Sequence, residues 1–381
     1  MIVATKILDY INSKCEGEFD AFYIYDTQKI RAHCKSFQNI TYKNKAIHFA
    51  SMANVNHQFL QIVKEEKLNV FVNSILHLQS VYKAGFRGNK IIFTSSALNK
   101  KTMKQAENYG VQLNLDSPNQ LTQWFELFPN KPVGIRCNIG EKVPPFSSHA
   151  GSFIGKESRL GFTLQEIDEI GDKSKIKGLH LYAGTDIFDI DYFIACYKEL
   201  IAVAENFDNL EYINFGGGFG VSENGNEQFD MAQYNTRVTE LMNQVSLKKN
   251  KSLKLILEPG RIIGGEAGYF VCHVSDIKNR DKKQLIGVNA STVQFSRPLL
   301  YAEIANHPVM IIRDGVQLHL AEKKPTLVYG CSTYSRDIFA NKTELPELKI
   351  GDVVVFGNAG SYCASSHMQF LGFQKPKEYF V

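Results

Sequence analysis

Short apolar, β-branched runs recur along the first two thirds of the chain. Each ends in polar or glycine residues: AIHFA (46–50), NVFV (69–72), KIIFT (90–94), VQLNLD (111–116), VGIRCN (133–138), KGLHLYA (177–183), YINFG (212–216) and LKLILE (253–258). Apolar character on both faces is the pattern of strands in a covered parallel sheet. The spacers carry helical periodicity instead. NHQFLQIVKEE sets Phe59, Leu60 and Val63 on one stripe, and ILHLQSVYKAG groups Ile75, Leu78, Val81 and Tyr82 before closing at Gly85. SPNQLTQWFELF opens with Ser117 and Pro118, a helix cap followed by a first-turn proline.

Alternation of this kind predicts a (β/α)8 barrel rather than an open doubly wound sheet, because polar residues cluster just after each strand, where barrel sites lie. After Glu258 the texture changes. GYFVCHVSDIKN, QLIGVNAS, VMIIRD, PTLVYG and DVVVFGN are strands joined by short polar links, which predicts a mostly antiparallel β domain. The boundaries read as a barrel over 22–260 and a β domain made of 1–21 plus 261–381.

Composition narrows the partners. Formal net charge is only +4, with no basic block, so nucleic acid is not expected. No apolar stretch reaches the roughly 18 residues of a membrane span, and no signal peptide is evident at the start. Seven cysteines, scattered and without a CxxC pair, point away from a disulfide framework or zinc site and toward a reducing cytoplasm.

Four clusters carry candidate chemistry. NFGGGFG (214–220) offers backbone amides that can approach an anion, in the region where barrels often bind phosphate; a tight turn is the plainer explanation. EPGRIIGGEAG (258–268) places Glu258 and Arg261 at one strand end, able to hold two ends of a phosphorylated heterocycle or to form a surface ion pair. SRLGF (158–162) contains Arg159, and NAGSYC (358–363) contains Tyr362.

In this order and spacing the segments resemble the fold type III pyridoxal-phosphate enzymes, the ornithine/diaminopimelate/arginine decarboxylase group, with alanine racemase as a cousin. The resemblance runs through FYIYD (22–26), FASMAN (49–54), LNLDSPNQL (113–121), GLHLYAGT (178–185), GGGFG, EPGR, GCSTYSRD (330–337) and GDVVVFGNAGSY (351–362). It implies an alanine racemase-like fold and a pyridoxal 5'-phosphate cofactor. Gly217, Gly218, Gly260, Arg261 and Tyr362 would hold its phosphate end, Glu258 its pyridine nitrogen, and Arg159 its phenolic oxygen. A carboxylate at that nitrogen keeps it protonated and makes the ring an electron sink, which favours decarboxylation. His180 would lie beside the ring, or be an ordinary core histidine.

The chain departs from the family at the reacting end. Met52 stands in FASMAN where the family has its Schiff-base lysine, and a thioether cannot form an imine. Tyr182 replaces a ring-stacking histidine. Thr333 stands for a catalytic cysteine given by the partner subunit, and Tyr334 for the acidic residue after it; Cys331 lies two residues early. An engineered substitution, a natural protein binding the cofactor non-covalently, and a pocket turned to another role all remain open. Divergence at several positions favours natural origin. Lys43 and Lys45 precede the first barrel strand and fall at the wrong end; Lys156 follows strand five, where a solvated loop lysine is the plainer assignment. The expectation is a divergent decarboxylase-like lyase acting on an amino acid or amine. The alternative is a non-catalytic or cofactor-independent pseudoenzyme with a phosphate-ligand pocket. A homodimer with shared sites is expected, Thr333 to Asp337 reaching across. Substrate selectivity falls to the 141–158 loop, where His149 could meet substrate or solvent.

Overall fold

The computed structural model describes residues 3–140, 142–146, 152–223, 227–302, 305–318 and 322–381; His149 lies outside the described residues. The chain divides into two compact units, residues 31–220 with 228–262, and residues 1–30 with 221–227 and 263–381.

Strand β1 (Phe22–Tyr25) belongs to the second unit. The next eight strands close in chain order into a parallel barrel: β2 (Lys45–Ala50), β3 (Asn69–Val72), β4 (Ile91–Thr94), β5 (Gln112–Leu115), β6 (Val133–Arg136), β7 (Ile176–His180), β8 (Tyr212–Asn214) and β9 (Lys254–Leu257). Each overlaps one of the runs selected by hydrophobic pattern. The barrel interior is filled, as a closed eight-stranded sheet requires. Ile92, Tyr212 and Ile256 cluster there. Glycines at Gly134 and Gly178 make room for the Tyr212 ring, since a Cβ on either would overlap it. The Tyr212 hydroxyl donates to Asn114 Oδ1 at 2.7 Å, and Asn114 Nδ2 donates to Thr94 Oγ1 at 3.1 Å. These buried polar groups therefore satisfy one another inside the lumen.

The helices after the strands start on side-chain caps. Asn56, Ser74, Asn99, Ser117, Asp189 and Asp230 each accept a backbone N–H of the first turn, and Thr163 forms a reciprocal capping box with Glu166. A cap of this kind is worth about 1 kcal/mol. Because the helices start at the carboxyl ends of the strands, the caps also fix the loops around the barrel mouth. No helix among the described residues is long and apolar enough to cross a membrane.

The second unit is a mostly antiparallel sheet. β10 (Gly268–Arg280), β11 (Lys283–Val288), β12 (Val309–Arg313), β13 (Val316–Gln317), β14 (Lys323–Tyr329), β15 (Ile338–Pro346), β16 (Val353–Phe356) and β17 (Lys377–Phe380) join β1 in it. Among the described residues of this sheet, only β1–β17 and β11–β14 pair in parallel. β1 lies between β10 and β17, whereas the sequence boundaries put residues 22–25 at the head of the barrel segment. All four β1 residues are buried, and a doubly covered strand has the same pattern in either sheet. A helix at Thr5–Lys14 turns Ile7 and Ile11 into a core with Phe22, Ile24, Tyr269 and Val271.

Candidate active site

Glu258 immediately follows β9 and is buried, 4% exposed. Its Oε1 accepts from Asn214 Nδ2 at 2.6 Å. Its Oε2 lies 3.4 Å from Nε2 of His180, within ion-pair reach although neither ring nitrogen makes a well-formed hydrogen bond. Burial is the largest influence on this carboxyl and favours its protonated form. The combined pull of His180, Asn214 and His48 outweighs burial and leaves the group below the ordinary carboxylate value. Glu258 is thus a buried anion at the end of a parallel barrel, with partners from β7 and β8.

A glycine turn follows β8. Asn214 Oδ1 accepts the Gly216 N–H at 2.9 Å, and the Glu258 N–H donates to the Gly216 carbonyl at 2.7 Å. A Cβ at Gly217 would overlap the Glu258 carbonyl, and one at Gly218 the Gly184 carbonyl, so only glycine permits this approach of three chain segments. Among the described residues, no acceptor takes the N–H groups of Gly217, Gly218 or Phe219. Consecutive unpaired amides in such a turn form a concavity suited to an anion. The segment after β7 runs alongside. Ile187 N–H donates to the Gly218 carbonyl at 2.8 Å, and Gly220 N–H to the Ile187 carbonyl at 2.9 Å. Arg261, 8% exposed, reaches into this region and pairs with the Asp186 carboxylate.

The turn carrying Met52, Ser51–Ala53, follows β2 directly. Ala50 N–H donates to the Pro259 carbonyl at 2.9 Å, and Ser51 Oγ to the Phe71 carbonyl at 2.9 Å. These bonds pin the Met52 turn beside the EPGR turn, so Met52 and Gly260 flank the end of the barrel that holds Glu258. Lys45 is the first residue of β2, at the opposite end. Tyr182 bonds Thr185 Oγ1 at 3.0 Å, meets Phe153 edge-on at 4.9 Å, and has its phenol pushed up to about 12 by burial. It therefore presents a neutral ring and hydroxyl.

Arg159 is exposed, as is Lys156. A second largely covered guanidinium at this end, after that of Arg261, is that of Arg136, the last residue of β6, 3.6 Å from Asp116 Oδ1. Asp116 also accepts from Ser96 Oγ at 2.7 Å and from Gly161 N–H at 3.1 Å. Burial, opposed by Asp116, Glu258 and Tyr182, lowers the proton affinity of Arg136. Sequence reasoning passed over Arg136, although a charged residue closing an apolar strand was the visible signal. It also passed over Asn214, a polar residue in the run YINFG, and His48. Burial drives His48 down to about 4, so it is neutral, with Nδ1 on the Val70 carbonyl at 3.2 Å.

Tyr362, Thr333 and Tyr334 belong to the second unit. Tyr362 is half-buried at a φ of +57°. Thr333 is exposed, and Tyr334 packs edge-on against the exposed Phe370 at 5.6 Å. Asp337 is buried and fixes their loop by accepting from both N–H and hydroxyl of Thr292 and of Ser332.

A barrel with a buried carboxylate, an amide concavity and an arginine at one end is the architecture of a phosphorylated-cofactor enzyme. Residues 27–265 match the family described as pyridoxal-dependent decarboxylase, pyridoxal binding domain. The chain belongs to that family, whose members are lyases dependent on pyridoxal 5'-phosphate. It is 27% identical to a diaminopimelate decarboxylase of Methanothermobacter thermautotrophicus, over 94% of this chain and 86% of the relative. It is 26% identical to one from Bacteroides thetaiotaomicron, over 90% of each. A crystal structure of diaminopimelate decarboxylase from Helicobacter pylori complexed with L-lysine superposes with a TM-score of 0.86 at 23% identity, covering 98% of this chain and 94% of that one; it corroborates the fold.

Proposed function

We propose that this chain is a divergent decarboxylase-like protein that binds pyridoxal 5'-phosphate without a covalent tether and acts on an amino acid or amine. The observation that carries the reading is Glu258, a buried carboxylate kept ionised by His180 and Asn214 beside unpaired backbone amides. The chemistry the cofactor supplies is an electron sink for charge developing at the carbon next to the substrate nitrogen. The protein's part follows from its residues. Glu258 would hold the proton on the pyridine nitrogen, with Asn214 and His180 orienting Glu258. Tyr182 would offer its ring face. The amides of Gly217 and Gly218, with Arg261, would hold the phosphate, and Gly260 would let the EPGR turn approach. Arg159 or, better placed by burial, Arg136 would serve the phenolic oxygen. These residues fit the group non-covalently. Met52 does not fit a tether, because its sulfur cannot condense with an aldehyde.

The same substitution supports a second reading, a non-catalytic or cofactor-independent pseudoenzyme that keeps a phosphate-ligand pocket. Thr333 and Tyr334, in place of the family's reactive pair, point the same way. Product formation from a panel of amino acids, with added cofactor, separates the two. Carbon dioxide release supports the lyase; binding without turnover supports the pseudoenzyme.

Exposed Leu300, Tyr301, Phe370 and Leu371 in the second unit support a homodimer, with Thr333 to Asp337 completing the partner's site. A monomer by light scattering at micromolar concentration would oppose it. All seven cysteines are free, in keeping with a cytoplasmic location.

A further inference from the structure

Resting on the reading of the barrel mouth as a phosphate pocket, we propose that Asp186 is a built-in competitor for that phosphate. Its carboxylate holds Arg261, so an incoming phosphate must displace one anion to bind another. Three observations converge. Asp186 Oδ2 is paired with the Arg261 guanidinium, which is itself almost fully buried. The other carboxylate oxygen, Oδ1, is buried with no hydrogen-bond partner, so the carboxylate presents an acceptor that nothing satisfies and that repels a second anion. Asp186 also directly precedes Ile187, whose N–H and carbonyl clamp the glycine turn at Gly218 and Gly220. The backbone at Asp186 is thereby held against the glycine turn that carries the unpaired amides of Gly217, Gly218 and Phe219. Its backbone sits at a φ of +56°, a conformation that aspartate and asparagine tolerate better than most residues.

The consequence concerns specificity. In a phosphate cradle lined only by donors, the phosphate contributes strongly to binding through charge-assisted hydrogen bonds. Here a second anion sits on the same guanidinium. A phosphate dianion either shares Arg261 and meets like-charge repulsion at contact distance, or displaces Asp186 and leaves a half-buried carboxylate without its cation. Either way much of the phosphate's contribution is cancelled, and a ring lacking phosphate is disfavoured far less than in a cradle without the aspartate.

The test compares pyridoxal 5'-phosphate with pyridoxal. Affinities of the full-length protein for each are measured by fluorescence or absorbance titration, for wild type, Asp186→Asn and Asp186→Gly. Asparagine keeps the shape and the tolerance for positive φ; glycine removes the side chain and favours the same backbone. Circular dichroism melts establish that each variant is folded, and should one fail, the other carries the comparison. The expected result is a gain of about tenfold or more in affinity for pyridoxal 5'-phosphate in either variant, the scale set by one charge-assisted interaction, with pyridoxal affinity changed less than about twofold. Unchanged or weakened affinity for the phosphate form overturns the inference and makes Asp186 a positioning residue for Arg261, while the pocket reading survives. Failure of wild type and variants to bind either compound overturns the pocket reading and the inference with it.

Discussion

Asn214 donates its side-chain amide to Glu258 across 2.6 Å, and the carboxylate so held is buried. Removing that donor strips a buried anion of its shortest hydrogen bond. Asn214→Ala is therefore expected to destabilise the fold by about 2 kcal/mol, the usual worth of a bond to a charged group, and to weaken cofactor binding. Urea denaturation with a parallel ligand titration measures both.

The depressed proton affinity of Glu258 also sets a pH dependence. The folded state keeps this carboxyl ionised more readily than the unfolded chain, whose value is about 4.5. Its contribution to stability is present in full above that value and is lost as the pH falls through the lower folded value. Glu258→Gln should therefore lower the melting temperature at pH 7, and the gap to wild type should close in acid. A gap that is constant with pH would mean that Glu258 is not held ionised by His180 and Asn214.

Gly178 and Gly134 exist to admit the Tyr212 ring. Gly178→Ala is expected to destabilise by about 3 kcal/mol, at the upper end for overpacking. Adding Tyr212→Leu should recover part of the loss, a coupling that a double-mutant cycle reads directly. Independent, additive effects would contradict a lumen filled by this tyrosine.

Asp337 accepts from Thr292 and Ser332 through both their amides and their hydroxyls. Asp337→Ala leaves four donors without an acceptor and should cost about 3 kcal/mol or more. Because the Thr333–Tyr334 loop hangs on this residue, limited proteolysis of the variant should cut there first, and wild type should resist.

The barrel was legible because its strands are β-branched runs buried on both faces, and because helix caps such as Ser117 before Pro118 punctuate them. Glu258, Arg261, Gly217 and Gly218 stood out as candidates through the resemblance of GGGFG and EPGR to the family's segments, and the structure gathers them at one barrel end. Other features depend on what the fold brings together. Phe22–Tyr25 reads as a buried strand without saying which sheet buries it. Asp186 looks like an ordinary loop aspartate until the segment after β7 is zipped to the glycine turn. Arg136 and Arg159 are each arginines near strand six, and only burial distinguishes them.

The barrel mouth is proposed to grip pyridoxal 5'-phosphate with no amine to tether it. Wild type and Met52→Lys are each incubated with the cofactor, desalted, scanned in the visible, then reduced with borohydride and weighed by mass spectrometry. Wild type is expected to retain a chromophore typical of the free aldehyde and to gain no mass on reduction, while Met52→Lys gains one cofactor adduct at residue 52. A wild-type protein that retains no chromophore, or that carries a reduced adduct on a native lysine such as Lys156, would contradict it.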